Sequence, residues 1–211
     1  LWMSLPRARH LGPLFIVWVV SICVLVLQKD LGSSVLLFGL FVVVLYVATD
    51  RPSWLLIGGA LFLPAAWFAA THLHHVQQRI SGWLHATDDA VYNAAGGSWQ
   101  LLTGMFGMSS GGLMGAGWGK GSPTLVTFAN SDFIFASLGE ELGLTGTLVI
   151  LVLYLVLIQR GLRTAMLLRD GFGKLLAVGL SFAVALQIFV VIGGVTRLIP
   201  LTGLTLPFLA Y

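Results

Sequence analysis

Hydrophobic positions along the chain gather into long runs separated by short polar breaks. Runs of low charge cover 11–27, 33–49, 53–71, 133–158 and 175–195. A helix needs about 20 apolar residues to cross the hydrocarbon core of a bilayer. Because lipid cannot satisfy backbone polar groups, each such run is a helix. The pattern predicts an all-α integral membrane protein, a polytopic bundle with five spans. The terminal LPFLAY at 206–211 reads as the start of a sixth. Residues 1–211 form a single membrane domain on this reading, interrupted by one large loop at 72–131. That loop is too long for a passive connector and too apolar in its second half for a disordered one. Within it, WQLLTGMFGM at 99–108 suits a short helix, either on the membrane surface with Trp99 at the interface or buried in the loop.

Composition agrees with the pattern: 57% of the residues are hydrophobic and 9% charged, against roughly 25% charged in a soluble domain. The chain opens at Leu1 and stops in an apolar run, the pattern expected of a piece of a longer polytopic protein. The first apolar run ends in Gln28, Lys29 and Asp30 with no small-residue cleavage site, so it is not a secretory signal. The single cysteine, Cys23, excludes an internal disulfide. A net charge of +3 is small and drawn from loop Arg and Lys, which makes a nucleic-acid surface a poor reading. Arg7, Arg9 and His10, then Arg51, then Arg160, Arg163, Arg169 and Lys174 fall on one side if the spans alternate. The positive-inside rule makes that side cytoplasmic and puts the 72–131 loop and Asp132 outside.

Three polar clusters are candidates for chemistry. The glycines from Gly111 to Gly121 suggest an anion cradle of bare amides. A Walker loop fails, because Met114 and Gly121 stand where glycine and Ser or Thr are required. What remains is a loop that presents Lys120 to a lipid pyrophosphate, or one with a purely conformational role. His72, His74, His75 and His85 lack the i, i+4 pairing with an interposed Glu of a zinc helix and read as histidines at a span end, so no metal site is assigned. Lys29 and Asp30 read as a turn with an ion pair.

Asp132 is the strongest candidate. A helix starting near Ser131 would bring Asp132, Ala136, Gly139, Gly143 and Gly146 within about 40° of one line, a small-residue stripe for a neighbouring helix or a groove. Glu140 would lie about 80° off that stripe and about 12 Å further along, with Glu141 on the far side. Acids within a span are costly and face protein or water, which makes both glutamates functional candidates unless they pair with loop arginines.

QKDLG at 28–32, SGGLMGAGWGKGS at 110–122, SDFIFASLGEELGLTG at 131–146 and RLIPLTGLTLPFLAY at 197–211 together resemble the SEDS family of polytopic membrane proteins, the group of RodA, FtsW and SpoVE. RDGFGKLLA at 169–177 looks most like actinobacterial members. The resemblance implies a bacterial cell membrane protein of about ten spans that polymerises the lipid-linked disaccharide lipid II into glycan strands, beside a class B penicillin-binding protein. It places the family's catalytic aspartate on Asp132. Thr127 to Ser131 depart from the family's usual Pro-Glu and His-Thr before that acid. The leaving pyrophosphate implies nearby positive charge, from Lys120, Arg197 or a divalent cation. With Glu140, Lys120 and Arg197 form the candidate substrate-binding set. A lipid II flippase and a scaffold of the elongation or division complex are the alternative expectations. A broken polar span near the membrane midplane would favour the flippase.

Overall fold

A computed structural model of the chain describes residues 8–210 apart from Gln28 and Ala95. Arg7, Gln28 and Tyr211, which entered the sequence reading, lie outside the described residues. The described residues are all-helical, with no strand. They form α1 (Ala8–Leu27), α2 (Leu31–Thr49), α3 (Ser53–His72), α4 (His74–Leu84), α5 (Asp89–Tyr92), α6 (Trp99–Gly111), α7 (Ile134–Leu167) and α8 (Gly171–Val195), with a short 3-10 turn at Pro123–Leu125. Among them, α2, α3, α7 and α8 are long and apolar enough to cross a membrane, and α1 contributes the apolar stretch Phe15–Val24.

Local chemistry sets the ends of these helices. Asp30 caps α2 by accepting the Ser33 N–H at 3.0 Å. The carboxylate expected to pair with Lys29 is used as a helix cap, and no ion pair joins the two. Asp170 caps α8 in the same way through Gly173 N–H. In the bundle α8 packs against both α7 and α2, α1 and α3 flank α2, and α6 lies along α7. Leu101 and Leu102 of α6 are buried while Trp99 and Phe106 are exposed, so α6 is both a packed loop helix and an apolar surface. The core closes where Phe133, Phe135, Ala136 and Tyr154 meet Ile188, Val191, Val195 and Leu206.

Leu206 belongs to a tail that leaves α8 without helix. The Leu198 and Ile199 amides both return to the Gly193 carbonyl, and beyond them the chain runs without regular structure to a turn at 207–209. Irregular backbone at membrane depth is tolerated only where protein or a cavity satisfies it. Here side chains do so: Arg79, Gln187 and Tyr154 donate to the carbonyls of Leu201, Thr205 and Pro207. The described part of LPFLAY, residues 206–210, is therefore a turn and not the expected helical start. Pro207 has no N–H, Phe208 is left-handed at φ +67°, and one turn closes from Ala210 N–H to Leu206 O.

The span carrying the two glutamates is also not one straight helix. Gly143 takes φ +69° and ψ −171°, a combination essentially restricted to glycine. In an unbroken helix the Leu144 and Thr145 amides would donate to the Glu140 and Glu141 carbonyls. Instead they donate to Gly112 O and Leu113 O at 2.9 and 3.1 Å. The two freed carbonyls accept from Ala116 N–H at 2.9 Å and Gly117 N–H at 3.0 Å. A strap of the glycine-rich loop thus takes the place of these ladder bonds and satisfies all four groups. Gly143 lies about 26 Å along the axis from Arg160, so the break sits at one end of the span and not at its middle. The expected stripe ends there. Ala136 and Gly139 still face α6, where a Cβ on Gly139 would stand 2.8 Å from Met108 Cγ, but Gly143 meets the strap.

Candidate functional site

Asp132 lies two residues before α7, in a turn made by left-handed Phe128, whose carbonyl accepts from the Ser131 and Phe133 amides at 3.0 and 3.2 Å. The next side chain, Phe133, is 0% exposed and packs on Gly104 of α6, where an added Cβ would be 2.7 Å from its ring. This buried anchor fixes the half-buried carboxylate beside it. Across from Asp132, α4 and the tail after α8 are stitched together. Arg79 Nη1 donates to Leu201 O at 2.9 Å. Trp83 Nε1 donates to Arg197 O at 3.0 Å, and Arg197 returns Nε to Trp83 O at 2.8 Å and Nη2 to Leu84 O at 3.1 Å.

The two sides meet at Gly203. A Cβ there would lie 3.5 Å from both terminal nitrogens of Arg79 and 3.7 Å from Asp132 Oδ2. With φ at +79°, Gly203 also holds a backbone that L side chains rarely adopt. The missing side chain leaves the carboxylate and the guanidinium facing one small space. Burial pushes the Asp132 pKa up, while the Ser131 hydroxyl and the Arg79 charge oppose that shift. Burial, then the neighbouring Lys29, Arg79 and His74, push the His75 pKa down.

Behind Arg79 opens an apolar cavity of about 410 Å³ between α1, α2, α3 and α4, lined by Val26, Phe38, Phe62, Ala66 and Ile80 and bounded by the tail at Leu201. That volume is within the range of small-molecule sites. Arg79 stands in the wall of this apolar cavity, and the Asp132 carboxylate lies outside it, on the other side of Gly203.

The substrate-binding candidates occupy three different places. Arg197 is left-handed at φ +60° and spends its guanidinium on carbonyls of α4. Lys120 is exposed on the glycine-rich loop, with its stem folded over Gly117. Glu140 accepts the Ser122 amide at 2.8 Å, and neither it nor Glu141 is ion-paired among the described residues. No three His, Cys, Asp or Glu residues converge among the described residues. Asp132 has a hydroxyl and a guanidinium as neighbours, a set that does not fit a divalent cation.

Sequence reasoning missed Arg79 and Gly203. A signal existed for the first: in α4, Val76, Ile80 and Trp83 form an apolar helical stripe, and Arg79 is a charge set within it.

A family model described as a cell cycle protein of the FtsW, RodA and SpoVE group matches residues 3–211. The peptidoglycan glycosyltransferase RodA of Mycobacterium tuberculosis is 50% identical over 211 residues, covering 100% of this chain and 44% of that protein. RodA of Mycobacterium leprae is 47% identical over 209 residues, covering 99% and 44%. The probable peptidoglycan glycosyltransferase FtsW of Geobacter metallireducens is 33% identical over 202 residues, covering 95% and 53%. A solved chain from a peptidoglycan synthase complex that coordinates polymerization and crosslinking superposes with a TM-score of 0.72 at 25% identity, covering 97% of this chain and 56% of that one. The chain spans about half the length of the curated relatives it matches. With its apolar helices and a match over nearly its whole length, the chain belongs to the FtsW/RodA/SpoVE family of multi-pass bacterial cell membrane proteins.

Proposed function

We propose that the protein containing this chain is a peptidoglycan glycosyltransferase that polymerises lipid II, with Asp132 as its general base. The observation that carries this reading is that the Asp132 carboxylate and the Arg79 guanidinium both face Gly203, with Arg79 also lining an apolar cavity. The acceptor sugar's 4-hydroxyl attacks the anomeric carbon of the donor and its proton passes to Asp132. The bond from that carbon to the diphosphate oxygen breaks, and undecaprenyl pyrophosphate leaves with the electron pair. Its negative charge calls for a fixed cation, which Arg79 supplies beside the base. The apolar cavity suits the isoprenoid chain.

On this reading the 72–131 loop and Asp132 face outward, where lipid II is exported, and a class B penicillin-binding protein is the partner that crosslinks the strands. The likeness to a chain of a peptidoglycan synthase complex supports such a partner. Flippase chemistry gains little from α7, because its break lies at the end of the span. The test is Asp132→Asn in the full-length protein with its partner and labelled lipid II, strands resolved on a gel. The amide keeps size and hydrogen bonding but cannot take the proton. Polymerisation should fall at least about a hundredfold while lipid II binding persists; polymerisation at the wild-type rate would remove the base assignment.

A further inference from the structure

The glycine-rich loop is pinned at two points by one residue of α7. The Glu140 carbonyl holds the outgoing limb through Ala116 N–H at 2.9 Å, and its side chain holds the returning limb through Ser122 N–H at 2.8 Å. Between the limbs the chain turns at Lys120, whose amide donates to Gly117 O at 3.0 Å. The carboxylate also fills the space above two glycines, 3.5 Å from a Cβ position on Gly107 of α6 and 3.2 Å from one on Gly121. Loop, α6 and the Ile134–Leu142 segment of α7 therefore converge on one side chain. Because Gly143 interrupts the helix, two ladder bonds between the segment that follows Asp132 and the rest of α7 are replaced by bonds to the strap.

We infer that Glu140 is a positioning residue: as a hydrogen-bond acceptor it locks the glycine-rich loop into the break of α7, and so sets where Lys120 and the Asp132 segment stand. It acts through the loop and does not touch substrate. This rests on the proposed glycosyltransferase reading for its kinetic part only, since the lock itself is read without turnover.

The two roles open to Glu140 respond differently to conservative changes. A lock needs an acceptor at the reach of glutamate, which glutamine keeps and aspartate, one methylene shorter, does not. A charge that meets substrate is kept by aspartate and lost in glutamine. In the full-length protein, Glu140→Ala and Glu140→Asp should speed hydrogen exchange at the Ala116, Gly117, Leu144 and Thr145 amides, while Glu140→Gln leaves them protected. In the lipid II assay, Glu140→Ala and Glu140→Asp should lower kcat by about tenfold with KM within about twofold, and Glu140→Gln should stay within about threefold of wild type. If Glu140→Ala does not fold, the aspartate and glutamine variants carry the comparison. The inference is overturned if exchange at those amides is the same in all the variants. A raised KM in Glu140→Gln, with Glu140→Asp near wild type, overturns it too, by making the charge a substrate contact. Protein inactive in every form, with the exchange pattern as expected, would sink the glycosyltransferase reading and leave the lock standing.

Discussion

Replacing Gly143 by alanine tests whether the break in α7 is built into the fold. Alanine at φ +69°, ψ −171° carries backbone strain of about 1–3 kcal/mol. The new methyl would also meet Leu113 O at 2.7 Å and the Gly115 amide, backbone atoms that cannot rotate away. Overpacking of that kind adds about 1–3 kcal/mol. Together the cost is about 2–6 kcal/mol, and relief by expelling the strap would leave four backbone groups without partners. Gly59, in the middle of α3 with nothing within 4 Å of its Cβ position, is the matched control. Alanine there should be neutral or stabilising by about 0.5–1 kcal/mol. Thermal unfolding of the full-length protein in detergent reads both, and Gly143→Ala should lower Tm by several degrees. A Tm for Gly143→Ala equal to that of Gly59→Ala would refute the reasoning, because α7 could then close into a continuous helix at no cost.

Orientation is checked by single cysteines in a Cys23→Ser background: Thr87→Cys and Arg163→Cys, both exposed, should label from opposite sides of the membrane, Thr87→Cys from outside. Labelling of both from the cytoplasm would separate Asp132 from an exported substrate. Arg197→Ala removes two donors to the α4 carbonyls and should cost about 1–3 kcal/mol in stability, with faster exchange through residues 83–84. If it instead left exchange unchanged and weakened lipid II binding, Arg197 would be a substrate contact and not a clamp.

Periodicity and charge made the spans legible, because apolar length is a direct consequence of bilayer thickness. The ends were legible where capping chemistry is local, as at Asp30 and Asp170. Asp132 stood out as a lone acid at the border of an apolar run. The break at Gly143 did not, since ELGLTG has the composition of an ordinary small-residue stripe and the amides that complete the turn come from about 30 residues earlier in the chain. Nor could the carbonyl clamp of Arg197 be read, because it depends on where α4 turns back on the tail. LPFLAY has span-like composition, yet Pro207 and left-handed Phe208 make a turn of residues 206–210, and donors from Tyr154 and Gln187 take the Pro207 and Thr205 carbonyls. Each failure is one of long-range hydrogen bonding, to which local pattern is blind.

The pH dependence of the single-turnover polymerisation rate tests the central claim, Asp132 as base, most directly. Only the ionised carboxylate takes the proton, so the rate is present above the folded pKa of Asp132 and is lost as pH falls through it. Burial raises that pKa above the ordinary 3.8, and the Arg79 charge works against the rise. Wild-type protein should therefore show an acid limb displaced upward from the ordinary carboxylate value, and Arg79→Gln should move the limb to higher pH while lowering the plateau. A limb that stays in place in Arg79→Gln, or that persists unchanged in the residual rate of Asp132→Asn, would assign the titration to another group and contradict the account.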